Sequence, residues 1–169
     1  MWAMLDATPT PSSDDPDLRP ARLSALRAHM GSQAWRAVLV PSSDPHLSEY
    51  LPERWQGRQW LSGFTGSAGT LIVAQGRAAL FADSRYWEQA EAELRGSGID
   101  LVRMEGSPAA AYARWLADLP GTAATDATVA VAATETPPSP ALAVDGSVLG
   151  LAQTLALRTA LQAQGWQLH

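Results

Sequence analysis

With 169 residues, the chain is long enough for one domain, or one domain with a small appendage. Hydrophobic residues make up 46% and charged residues 17%, so a core can form; a net charge of −5 with no Lys/Arg block argues against non-specific nucleic-acid binding and against docking on anionic membranes. The absence of cysteine excludes disulfides, thiolate catalysis and Cys-held metal centres, and fits a cytoplasmic setting.

Seven Trp are many for this length, so several should be buried and one or two should sit at an interface. No stretch approaches the roughly 18 apolar residues of a membrane span. Residues 1–20 lack the basic and apolar regions of a secretory signal. Residues 1–17, rich in Pro, Ser, Thr and Asp, read as a mobile lead-in, and residues 18–169 read as the folded domain.

The first helix is expected from Pro20, with Leu23, Leu26 and Met30 on one face and Gly31 as its stop. The apolar run from Trp35 to Val40, ended by Pro41, predicts a buried strand. A long polar loop, PSSDPHLSEYLPERWQG, covers 41–57. Arg58 to Leu61 reads as a strand, followed by a glycine-rich turn over 62–69. Thr70–Ala74 and Arg77–Ala82 form a hairpin around Gln75-Gly76. A helix capped by Asp83 or Ser84 follows, with Trp87, Ala90 and Leu94 facing inward. Ile99–Met104 is the next strand; Ser107-Pro108 then opens a helix with Tyr112, Trp115, Leu116 and Leu119 on one stripe. Residues 121–140 are Ala/Thr/Pro-rich and read as an inserted loop with a short strand at Val129–Ala133. Leu142–Val144 predicts a strand, Ser147 caps a last helix with Val148, Leu151, Ala152 and Leu155 on one face, and Trp166–Leu168 closes as a strand. Helices alternate with strands around one antiparallel hairpin, which predicts an α/β domain with a mixed sheet covered by helices.

Three loops hold most of the polar chemistry. His29, His46 and His169 are too far apart in sequence for a helical metal-binding pair, and the acidic run Asp14-Asp15-Pro16-Asp17 reads as a solvated tail, so no metal site is expected in this chain. In SGFTGSAG, Ser67 lacks the glycine two residues before it that a nucleophile elbow needs. No Lys-Ser/Thr pair follows to make a phosphate loop. Gly63, Gly66 and Gly69 therefore read as a structural loop that needs positive φ or close backbone approach. Asp44, His46, Ser48, Glu49 and Tyr50 crowd seven residues; Asp44 can close an Asx-type turn, and the loop can equally line a polar cleft. Arg85 can clamp a carboxylate, or pair with Asp83 or a glutamate of the 41–57 loop.

Taken in order, PSSDPHLSEY, WLSGFTGSAGTLIV and AALFADSRYWEQA resemble the N-terminal domain of the creatinase/prolidase/aminopeptidase P superfamily, most nearly its X-Pro aminopeptidase branch. The resemblance extends over about residues 18–169 and includes RLSALRAHM and the AVDGS–helix–GWQL ending. It implies a ribonuclease H-like α/β fold with a mixed sheet of roughly six strands. Catalysis in that family sits in a separate C-terminal pita-bread domain, where a metal pair, usually manganese, is held by Asp, Asp, His, Glu and Glu and activates water to cleave before a penultimate proline. That domain is expected to be absent from this chain and to be its partner, in cis or in trans. The resemblance further implies a non-catalytic role in homo-oligomer packing and substrate-channel shape. A stand-alone peptide- or protein-binding module derived from the family is the alternative. Motif by motif, the implied rim or interface residues are Asp44, His46, Glu49, Tyr50, Phe64, Arg85 and Tyr86, with Asp44, His46, Glu49, Arg85 and Tyr86 expected in one polar cluster. The segment from Gly121 to Ala141 departs from the family's shorter connection, which puts the family's mode of assembly in question for this chain.

Overall fold

The computed structural model describes residues 18–120 and 139–169. The lead-in, and the predicted strand at Val129–Ala133 within the inserted loop, lie outside the described residues. In chain order the elements are α1 (Arg19–Ser32), β1 (Ala37–Pro41), α2 (Gly57–Ser62), β2 (Thr70–Ala74), β3 (Ala78–Ala82), α3 (Trp87–Glu93), β4 (Asp100–Arg103), α4 (Pro108–Ala117), β5 (Ala141–Val144), α5 (Leu151–Gln162) and β6 (Gln167–Leu168). Short 3-10 turns occupy Glu53–Trp55, Ser84–Tyr86 and Gly146–Val148.

The strands form one mixed sheet in the order β4-β3-β2-β1-β5-β6. β2 is antiparallel to both β1 and β3, while β3–β4, β1–β5 and β5–β6 pair in parallel. Five strands therefore point one way and β2 alone points back. All five residues of β2 and of β3 are buried, because helices cover both faces.

Side-chain alternation sorts the core into two layers. Leu39, Ile72 and Ala79 stand in register on one face, with Phe81, and pack against Leu116 of α4, Leu157 and Leu161 of α5, and Trp166. Leu71, Val73, Ala78 and Leu80 point to the other face, against Leu23 and Met30 of α1, Leu61, Phe64 and Ala90 of α3. The Phe81 ring meets Tyr112 edge-on at 4.9 Å and Trp115 at 6.1 Å.

Three sequence readings are corrected. Arg58–Leu61 is not a strand but part of helix α2. Its buried residues Arg58 and Leu61 are three apart, a helical spacing, and the exposed Trp60 falls between them. Gly63, at φ 73°, ends the helix in the left-handed conformation, its N–H donating to the Gln59 carbonyl at 2.7 Å. Helix α1 runs one residue past Gly31, and Ala34, at φ 57°, makes the left-handed turn instead. Ser147 does not cap the last helix: it closes a 3-10 turn on Asp145, Leu149 is extended, and α5 begins after Gly150. That break resets the helical phase. Leu151 and Leu155 are 75% and 53% exposed, and Leu157 and Leu161 face the core instead.

Candidate functional site

The single reversed strand decides where the polar loops meet. The C-terminal ends of β1 and β3 and the start of β2 lie at one end of the sheet, so loops 41–57, 62–69 and 83–86 share that end.

Asp44 anchors the first loop. Its residue is 1% exposed, and Oδ1 accepts from the His46 N–H at 3.0 Å and the Ser48 N–H at 2.9 Å, the Asx-type turn foreseen from sequence. The bond from Ser48 is the main reason its carboxyl titrates below the ordinary range. The Leu47 N–H donates to the Asp44 carbonyl at 3.0 Å, and Leu47 sits at φ 54° with its side chain 62% exposed. A leucine in the left-handed region is strained, so the turn holds the tip in a shape the free chain avoids. Tyr50, 85% exposed, projects nearby in sequence.

The glycine loop is built around Arg58. This guanidinium is 4% exposed; it donates to the Phe64 carbonyl at 3.0 Å and the Gly66 carbonyl at 2.6 Å, and lies 4.8 Å over the Phe64 ring. Burial pushes its pKa down to about 10, partly offset by the charge of Glu93. Partial burial opposes ionisation of Glu93, but bonds from Thr65 and Gln89 outweigh it and keep the carboxyl below its usual range. Ser62 Oγ accepts from the Phe64 N–H at 3.1 Å. Gly66 meets the Phe64 and Tyr86 rings so closely that a Cβ would lie 2.3 Å from Phe64 Cζ. The expectation of close backbone approach holds at Gly66, and that of positive φ holds at Gly63.

The third loop folds on itself. Asp83 accepts from Arg85 N at 3.1 Å, Nε at 2.9 Å and Nη2 at 2.7 Å, so Arg85 takes the Asp83 option among the partners its sequence allowed. These bonds, led by the side-chain pair, hold the Asp83 carboxyl low and raise the Arg85 pKa. Tyr86 packs edge-on against Phe64 at 5.9 Å, and its hydroxyl meets Ser67 Oγ at 2.6 Å.

The structure thus joins Phe64, Gly66, Ser67 and Tyr86 into one assembly. Among the described residues, no hydrogen bond or ion pair connects Asp44, His46 or Glu49 to Arg85 or Tyr86; Asp44 and Arg85 are each bonded within their own loop. The first loop reaches the glycine loop through Ser42, whose N–H and hydroxyl both donate to the Gly69 carbonyl, at 3.1 and 2.9 Å. Arg58 and Glu93 are the pins that sequence reading missed. The signal was a lone cation five residues ahead of a glycine loop, whose turned-in carbonyls need a donor.

Ser67 has a phenol as its partner, not an imidazole, so the loop holds no nucleophile–base pair. Among the described residues, no three His, Asp or Glu side chains converge as metal ligands, and no helix is long and apolar enough to cross a membrane.

Comparison with known proteins gives a consistent picture. The family model described as "Creatinase/Prolidase N-terminal domain" matches residues 22–167. Xaa-Pro aminopeptidase 2 of Mus musculus is 49% identical over 73 residues, which is 43% of this chain and 11% of that protein. Aminopeptidase P2 of Arabidopsis thaliana is 43% identical over 83 residues, 49% of this chain and 12% of that one. The chain spans little more than a tenth of these relatives. Among solved structures, the X-prolyl aminopeptidase of Caenorhabditis elegans, described as a cytosolic enzyme with a di-nuclear active site, superposes with TM-score 0.69 at 24% identity over 89% of this chain and 23% of that one. A Creatinase/Prolidase-like N-terminal domain from Corynebacterium diphtheriae superposes with TM-score 0.60 at 20% identity, over 89% of this chain and 93% of that one. The mixed six-stranded sheet between helical layers is the sheet of that family, and the chain belongs to the creatinase/prolidase N-terminal domain family.

Proposed function

We propose that this chain is the non-catalytic N-terminal domain of an Xaa-Pro aminopeptidase-type metallopeptidase, and that its three motif loops shape the approach to a substrate channel and contribute to homo-oligomer packing. The observation that carries this reading is the way the loops are tied down. Buried Asp44 and buried Arg58 fix two of them, and the hydroxyl of Ser67 is held by Tyr86, an arrangement that presents a shaped surface and leaves no group activated for attack. Asp44 acts by holding the tip that displays His46, Leu47, Glu49 and Tyr50; Phe64 and Tyr86 set the shape of the neighbouring loop, and Arg85 offers its exposed edge. The water-activating metal pair, manganese or another divalent metal, belongs in this reading to a pita-bread catalytic domain in cis or in trans, in a cytoplasmic enzyme.

The test is hydrolysis of X-Pro peptides with manganese, first by this chain alone and then with a separately expressed catalytic domain added. Silence alone, with activity raised on mixing, is expected. Turnover by the lone chain that disappears in Ser67→Ala would place the chemistry here and overturn the reading.

A further inference from the structure

At the same end of the sheet as the motif loops lies a topological switch point between the neighbouring parallel strands β1 and β5, bordered by Ser42 and Ser43 of the first loop and Ser67, Ala68 and Gly69 of the glycine loop. Chain leaving β1 passes to the layer of α1, α2 and α3; chain leaving β5 passes to the layer of α4 and α5. In open α/β sheets, such divergence opens a crevice at the carboxyl ends of the two strands, and ligands lodge there. Here that crevice is a cleft of about 350 Å³, at the small end of the usual range for ligand pockets.

Its walls are apolar, formed by Leu39, Pro41, Ala109, Val148, Ala156 and Leu157. No Asp, Glu, Lys, Arg or His lines it. Of the polar side chains that line it, the Ser42 and Ser43 hydroxyls donate to the Gly69 and Asp44 carbonyls and Ser67 Oγ is paired with Tyr86, while the remaining ones keep protons to give. Tyr112 gives its hydroxyl proton to Thr70 Oγ1 at 2.9 Å, which leaves the Thr70 proton given to no acceptor among the described residues. The Ser107 hydroxyl, too, donates to no described group. Gln153 spends its Oε1 on the Gly150 N–H at 3.3 Å and keeps its amide protons for another partner. Burial raises the Tyr112 pKa, so the phenol stays neutral and brings no charge of its own.

We propose that this cleft binds a short uncharged peptide segment, with one apolar side chain between the walls and its flanking main-chain carbonyls on the donors of Thr70, Ser107 and Gln153. A free carboxylate or ammonium finds no counter-charge in the lining and loses its water without compensation. The inference stands apart from the aminopeptidase reading, since it needs no catalytic partner.

The test uses the full chain, labelled with ¹⁵N, and the probe N-acetyl-leucine N-methylamide. Saturable amide shifts are expected at Thr70, Ala109 and Val148, with N-acetyl-leucine, which carries a carboxylate, weaker by about tenfold or more. N-acetylglycine N-methylamide, which lacks the side chain, is expected to produce no saturable shift. Ala156→Phe, at an exposed position of α5, fills the cleft and abolishes the shifts; Gln153→Leu, also exposed, removes one donor and weakens binding several-fold without depending on the first variant. Absence of saturable shifts at those amides at millimolar probe, shifts confined to residues elsewhere, equal binding of the carboxylate form, or undiminished binding to well-folded Ala156→Phe would each overturn the proposal.

Discussion

Gly66→Ala tests how the glycine loop is held. An added Cβ lies 2.3 Å from Phe64 Cζ, 2.9 Å from Phe64 Cε1 and 2.8 Å from Tyr86 Cδ1. Neither ring has an easy way to yield. Phe64 is fully buried beneath the Arg58 guanidinium, and Tyr86 is tied to Ser67. Overpacking of this kind costs about 1–3 kcal/mol, and with two rings obstructed the expected loss is near the upper figure, about 3 kcal/mol. For a chain of this size that corresponds to a fall in Tm of roughly 6–12 °C. Gly76→Ala is the control, because a Cβ there meets nothing within 4 Å; it should stay within about 0.5 kcal/mol of the parent. Phe64→Leu shortens the obstructing ring, so the double variant should be less destabilised than the sum of the singles by about 1 kcal/mol or more. Thermal and urea unfolding followed by circular dichroism read the parent and all four variants. If Gly66→Ala matches Gly76→Ala, or if the double variant is simply additive, the steric account of this glycine is wrong.

Arg58→Met removes both donors to the glycine loop. Burial depresses the Arg58 pKa to about 10, so holding this charge inside already opposes folding and the net loss on removal should be modest, about 1–3 kcal/mol from the two stranded carbonyls. Arg58→Lys should not rescue urea stability, since a single ammonium cannot reproduce the fork that spans both carbonyls. Asp44, Asp83 and Asp145 all titrate below their ordinary range, so each binds fewer protons folded than unfolded. Their stabilisation is complete above about pH 4 and is lost as pH falls through the depressed folded values; the urea midpoint should drop in that window, with a shallower slope in Asp44→Asn. Leu155→Gln should change stability by less than about 0.5 kcal/mol, whereas Leu157→Ala should cost about 2–5 kcal/mol, and reversed effects would restore the helix face read from sequence.

What the sequence made legible were features encoded by neighbours in the chain. The β2–β3 hairpin showed in its two apolar runs around Gln75-Gly76, and α4 in Ser107-Pro108 followed by the Trp115 and Leu116 stripe. The Asx turn at Asp44 was readable because a carboxylate bonds its own downstream backbone. Features set by distant partners were not readable. A helix of six residues is too short to show periodicity, so α2 looked like a strand. The face of α5 is chosen by where the sheet lies, and the extended residue Leu149 shifts the phase in a way that the apolar pattern hides. The same limit applied to the motif residues. Asp44 and Arg85 each satisfy themselves within their own loop; of the cross-loop contacts, Ser67–Tyr86 joins motif residues, whereas those of Glu93 and Ser42 have no local sequence signature and that of Arg58 has only its place ahead of the glycine loop.

The borders of the sheet constrain how copies of this chain can meet. β6 spans only two residues, too few to template a partner strand, and β4 carries charge at both ends, Asp100 bound to Arg77 and Arg103 to Glu91. Short and charged margins discourage edge-to-edge growth. Self-association by extending the sheet is therefore disfavoured among the described residues, while Leu151 and Leu155 of α5 present apolar area that the other described elements leave exposed.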